Sequence, residues 1–124
     1  MALAAAQLVT FAATVDGARA RRFYEGILGL RVVSDDQFAL ALDANGSPLR
    51  IQKVDSLNPA PFTALGFQVP DIASSVDLLT LRGVVFEKFS GMAQDARGIW
   101  HAPSGARVAW FKDPDGNTLS LTQL

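Results

Sequence analysis

The same order of structural signals occurs twice along this chain, and that repetition constrains the fold more than any single motif. Residues 7–14 form a β-rich run containing Val9, Thr10 and Phe11. Asp16 follows at a helix start, where its carboxylate can accept a hydrogen bond from an early backbone N–H. Phe23, Tyr24, Ile27 and Leu28 recur at the spacing of one helical face. Gly29 ends the helix, because glycine enters the left-handed conformation without a Cβ penalty. Strands are expected at 30–34, 37–42 and 48–54, and Asp43-Ala44-Asn45-Gly46 supplies hairpin turn chemistry between the last two.

The second half repeats this order. A strand is expected at 62–69, a helix start at Pro70-Asp71, and an apolar helical face from Ile72, Val76 and Leu79, with Leu78 open to either side. Gly83 is the stop. Strands are expected at 84–88, 98–102, 106–112 and 118–122, with Asp113-Pro114-Asp115-Gly116-Asn117 turning the chain before the last. From Asp16 to Gly29 is 13 residues and from Asp71 to Gly83 is 12, so two βαβββ units of near-equal length follow one another. Residues 55–61, Asp55-Ser56-Leu57-Asn58-Pro59-Ala60-Pro61, read as the linker.

Composition bounds what such a repeat can do. The chain has 124 residues, 49 % of them hydrophobic and 19 % charged, which suits one compact domain with a real core. A formal net charge of -1 supplies no field to hold a polyanion, so no nucleic-acid partner is expected. Arg19, Arg21 and Arg22 read as a solvated helix face. With no cysteine, disulfides, thiol catalysis and cysteine-based zinc sites are excluded. The apolar start Met1-Ala2-Leu3-Ala4-Ala5-Ala6 lacks a basic region before it, no apolar run reaches membrane-spanning length, and a cytoplasmic protein is expected.

Alternation along the strands separates two faces. Leu65, Phe67 and Val69 are large and apolar, as a helix-covered surface requires, whereas Ala64, Gly66 and Gln68 are small or polar. Leu119 and Leu121 oppose Thr118, Ser120 and Thr122, and Leu49 and Ile51 oppose Arg50 and Gln52. Two such sheets side by side can curl into a cup whose polar face suits a ligand. A plain solvent-facing sheet surface has the same pattern.

Several stretches resemble the vicinal-oxygen-chelate superfamily, which contains glyoxalases, bleomycin resistance proteins and dioxygenases. Phe23-Tyr24-Glu25-Gly26-Ile27-Leu28-Gly29-Leu30 is similar to its FYxxxLGL segment. Phe67-Gln68-Val69-Pro70-Asp71 and Arg82-Gly83-Val84 are similar to its second-module pattern, and Phe111-Lys112-Asp113-Pro114-Asp115-Gly116-Asn117 to its F-x-DPDGN turn. The resemblance implies an α+β fold of two βαβββ modules around a cupped, barrel-like mixed sheet with helices outside. It implies one domain over 1–124, with module one at 7–54, the linker at 55–61 and module two at 62–124. It also implies a shared cavity and, together with the abundant apolar residues, a homodimer.

Metal-dependent members of that superfamily take His or Glu from the first and last strands of each module. By that resemblance the positions fall at or near Val9, near Gln52, and on Ala64 and Ser120. Val9 and Ala64 cannot coordinate, neutral Ser120 is a poor ligand, and Gln52 offers only a carbonyl oxygen. One histidine and two glutamates, Glu25 and Glu87, point the same way, since divalent sites need several converging imidazoles or carboxylates. No metal and no cofactor are therefore expected.

The residues expected to meet a ligand are Arg50, Gln52, Trp100, His101, Trp110 and Ser120. Arg50 reads as a partner for an anionic group or for an aspartate on the rim. Trp100 and Trp110 read as walls for a planar or cationic ligand, or as core or dimer contacts. His101, the one histidine, reads as a cavity acid, base or hydrogen bonder, or as a surface or subunit-contact histidine. The loop 89–96, with Met92, is long enough for a lid or is a loop without a role. Asp113 and Asp115 do not begin a calcium loop, because Pro114 intervenes and Leu124 stands where the closing glutamate would be. Ser104 lacks a nucleophile elbow. The leading expectation is a metal-free cavity protein for a small organic molecule. Its rivals are a lyase, isomerase or dioxygenase using an unusual metal set or His101, and an interaction module with a filled cup.

Overall fold

The computed structural model describes residues 2–124; Met1 of the apolar N-terminal run lies outside them. Among the described residues the chain forms eight strands and two α-helices. They fall into two compact units that divide between Leu57 and Asn58, within the 55–61 stretch. The class is α+β, and each unit carries one four-stranded mixed sheet.

In the first unit β1 (Thr10–Thr14) leads to α1 (Gly17–Arg21), then β2 (Arg31–Asp35), β3 (Ala39–Ala44) and β4 (Ser47–Lys53). The sheet order is β1-β4-β3-β2, with β1 parallel to β4 and the other pairs antiparallel. Asp16 caps α1 by accepting from the Arg19 N–H at 3.1 Å. The single α-helix expected from Asp16 to Gly29 instead widens after one turn into a π-helical stretch over Arg22–Ile27. Its signature is the Leu28 N–H donating to the Phe23 carbonyl at 2.9 Å, five residues back rather than four. Gly29 then leaves the helix at φ +77. The Phe23 and Tyr24 rings meet edge to face at 5.2 Å, and both are buried with Leu40, Leu42, Leu49 and Ile51. Burying each such side chain contributes about 1.5–3 kcal/mol. Ala44 pairs with Ser47, so Asn45 (φ 52) and Gly46 (φ 90) form the two-residue hairpin turn.

In the second unit β5 (Thr63–Gln68) leads to α2 (Ile72–Leu81), β6 (Trp100–His101), β7 (Arg107–Lys112) and β8 (Thr118–Gln123). The order β5-β8-β7-β6 and the strand directions repeat those of the first sheet. Asp71 caps α2 through the Ser74 N–H at 3.2 Å, and Gln123 accepts from the Ile72 N–H at 2.9 Å, tying the helix start to β8. Ile72, Val76 and Leu79 are buried and Leu78 faces outward. Leu65, Ala109, Phe111, Leu119 and Leu121 form the sheet side of this core.

Residues 84–88 depart from the sequence expectation. Instead of a strand they make one isolated bridge, Phe86 opposite Phe111, and the Glu87 N–H donates to the Trp110 carbonyl at 2.7 Å. The Glu87 carbonyl is taken by the Gln94 side chain at 2.9 Å, so the ladder stops there. The strand expected at 98–102 contracts to β6, because Gln94 also accepts from the Phe89 N–H and donates to the Gly98 carbonyl, which holds the intervening loop as a closed turn. Among the described residues no helix is long and apolar enough to cross a membrane.

Candidate functional site

The candidate surface is the face of the second sheet turned away from the buried Leu119, Leu121 and Phe111. Registers place its residues in rows. Gly66, Ser120 and Trp110 align across β5, β8 and β7, and Gln68, Thr122, Val108 and Trp100 align in the next row. Ser120 is 6 % exposed. A Cβ built on Gly66 would come within 3.1 Å of the Ser120 Oγ, so that hydroxyl leans over β5 where a side chain is missing. No hydrogen bond to the hydroxyl is found among the described residues. The Trp100 and Trp110 rings lie 6.2 Å apart at 35°, and Phe89 stands at 84° to Trp110 with centroids 5.5 Å apart.

Phe89 comes from the loop after residue 88 and was not among the residues singled out by sequence. Nothing local distinguishes it; the contact depends on the loop folding back along β7. That loop is held by Gln94 and by Asp95, whose carboxylate accepts from the Arg97 and Ile99 N–H groups. Arg97 in turn grips Asp77 of α2 through two bonds of 2.8 and 3.0 Å. This charge-assisted fork holds the Asp77 carboxyl below the usual carboxylate range.

His101 does not join the tryptophans. It pairs with Arg107 while Trp100 pairs with Val108, so strand alternation sends His101 to the opposite face from the indoles. There it is exposed, with its Nε2 3.8 Å from the Asp95 carboxylate.

Arg50 and Gln52 lie on the first unit's sheet, on the face opposite the buried Leu49 and Ile51. Arg50 aligns with Phe11 and Ala41, and Gln52 with Ala13 and Ala39. Phe11 is 55 % exposed beside this strand. Asp36 accepts from the Phe38 and Ala39 N–H groups, which lower its pKa, and the Arg50 charge lowers it further.

The residues at the superfamily's ligand positions do not fit a divalent ion. Val9 precedes β1 and is 40 % exposed, Ala64 offers a methyl group, and Ser120 and Gln52 are neutral. Among the described residues no group of three or more His, Cys, Asp or Glu side chains is arranged to hold a metal.

Comparison with known proteins places this geometry. The family model of the glyoxalase/bleomycin resistance protein/dioxygenase superfamily matches residues 7–121. A solved member of that superfamily from Sphaerobacter thermophilus is 26 % identical, with a TM-score of 0.77, covering 97 % of this chain and 98 % of that one. A lactoylglutathione lyase from Agrobacterium tumefaciens is 16 % identical with a TM-score of 0.74, covering 96 % and 93 %. An antibiotic binding protein from a Streptomyces species is 22 % identical with a TM-score of 0.72, covering 99 % and 98 %. No curated protein sequence matches. With the family model spanning nearly all of its length, the chain belongs to the glyoxalase/bleomycin resistance protein/dioxygenase superfamily.

Proposed function

We propose that this protein binds or sequesters a small organic molecule on the open face of its second sheet, without a metal ion. The observation that carries the reading is the chemistry of that face. Two indoles line it, and beside them the neutral Ser120 stands where metal-dependent relatives would place a carboxylate. Aromatic surface with a few placed polar groups is what small-molecule recognition needs. The antibiotic binding protein of the same fold gives the role a precedent. The reading includes a cytoplasmic homodimer acting as one domain.

The test is ligand capture with metal control. The protein is screened against a fragment library by ligand-observed NMR, with and without EDTA. Binding that is unchanged by EDTA is the expected result. A tightly bound divalent ion, one per chain by elemental analysis, whose removal abolishes binding would overturn the reading. Sedimentation at micromolar concentration tests the dimer.

A second reading, an enzyme using His101 as acid or base, is favoured by the Asp95 carboxylate beside the ring. A turnover abolished by His101→Ala in a folded protein would establish it.

A further inference from the structure

We infer that the open face of the second sheet takes a flat, uncharged aromatic molecule carrying a hydroxyl or carbonyl group. The inference rests on the binding role proposed above and names the ligand class. Trp100 and Trp110 are diagonal neighbours on adjacent strands, since Trp100 pairs with Val108 and Trp110 lies two residues further along β7. At 6.2 Å and 35° their rings sit side by side and tilted rather than stacked on each other. That arrangement suits a ring system wide enough to touch both indoles, because offset aromatic contacts are favoured at such separations.

Polarity narrows the class. Ser120 is 6 % exposed, and its hydroxyl leans toward Gly66 with no side-chain or backbone partner among the described residues. A ligand hydroxyl or carbonyl that reaches it gains one hydrogen bond and a fixed orientation together. Gly66, having no side chain, leaves room for a ring to lie close to the sheet at that point. Gln68 and Thr122 in the next row widen the polar edge.

Charge narrows it further. Lys112 shares the face at the end of β7, with its Nζ 4.0 Å from Glu87. Each charge is thus answered by the other. An ionic ligand would give up water without meeting an uncompensated side-chain charge. A neutral aromatic meets no such penalty.

The experiment is calorimetric titration of the protein with 2-naphthol and with its saturated counterpart decahydro-2-naphthol. The expected result is that 2-naphthol binds about tenfold more tightly, the size of a good aromatic contact. Trp110→Leu removes that preference, whereas Trp110→Phe keeps most of it and guards against a folding artefact. Ser120→Ala weakens 2-naphthol about fivefold and leaves naphthalene unchanged, the size of one hydrogen bond. Equal affinity for the two alcohols overturns the aromatic class while the binding role stands. Failure of both to bind overturns the inference, and the binding role survives it if the fragment screen finds another ligand class. Preference for 2-naphthol that persists in both Trp110→Leu and Ser120→Ala places the ligand elsewhere and also overturns it.

Discussion

The two units share a strand order, strand directions and a helix started by an aspartate, yet they differ in the strand after the helix. In the first, β2 runs beside β3 from Arg31 to Asp35, broken only by a bulge between Val32 and Ser34. In the second, the same edge of β7 is covered in two pieces, Phe86 opposite Phe111 and β6 opposite Val108 and Arg107. Between the pieces the chain leaves the sheet and returns. Such an excursion is tolerated only if its backbone groups are satisfied elsewhere. Gln94 and Asp95 do that with their side chains, and the excursion sets Phe89 against Trp110. The first sheet's edge is held by charge instead. Asp35 takes hydrogen bonds from Lys53 at 2.6 Å and Arg21 at 3.2 Å, and Arg21 also reaches Glu25. One topology thus yields a face where Phe11 is the single aromatic among Ala13, Ala39, Ala41, Arg50 and Gln52, and another lined by two indoles.

Core truncation tests whether the units are equally dependent on their packing. Phe111→Ala in the second unit and Tyr24→Ala in the first, both at fully buried positions, should each cost about 3–5 kcal/mol in urea unfolding. A loss below about 1 kcal/mol at either position would show that its core relaxes around the cavity.

Removing the Gln94 amide sharpens the contrast between the edges. Gln94→Ala leaves the Phe89 N–H and two carbonyls without their partner, at a cost of about 1–3 kcal/mol. Hydrogen exchange should quicken at Phe89 and Glu87 while the β2 amides keep their protection. Equal loosening of β2 would break the claim that the two edges are secured separately.

The helix starts should respond alike. Asp16→Ala and Asp71→Ala each remove one cap bond of near-identical geometry and should each cost about 1 kcal/mol by thermal unfolding. A twofold difference would show that the short helix leading into the π-helical stretch depends on its cap more than α2 does.

Acid supplies the smallest effect. Lys53, then Arg21, hold the Asp35 carboxyl below its ordinary range against the opposing pull of partial burial. Its folded pKa lies below the unfolded value, so the stabilisation is complete above about pH 4 and is lost as pH falls through the folded pKa. Arg97 does the same for Asp77 in the second unit. Urea midpoints followed down to about pH 2 should fall in the wild type. Asp35→Asn should flatten only the first unit's share of that fall, and an unchanged profile would remove the Lys53–Asp35–Arg21 contact from the account.

Much of the fold was legible where a signal acts within a few residues. Asp16 and Asp71 cap their helices, Asn45-Gly46 makes the two-residue turn, and Asp113 closes the turn before β8 by accepting from the Asp115 and Asn117 N–H groups. The alternation of Leu65 and Phe67 with Ala64, Gly66 and Gln68 also reads directly onto the two faces of β5. Residues 84–88 did not yield to the same reading. Their apolar, β-prone pattern is that of a strand, but whether a segment pairs depends on which edge is free and what else competes for it. For the same reason Trp100 and His101, adjacent in sequence and grouped as one site, separate onto opposite faces.

The sequence by itself determined the doubled βαβββ plan, its turns and caps, and the lack of imidazole or carboxylate at Val9, Gln52, Ala64 and Ser120. These follow from backbone preferences and side-chain chemistry that each residue carries wherever the chain places it. Only the tertiary structure decided that residues 84–88 and β6 share one edge of β7, that Phe89 meets Trp110, and that Ser120 is buried beside Gly66. Those outcomes depend on contacts between residues far apart in the chain, and such contacts leave no period or spacing in the sequence to read.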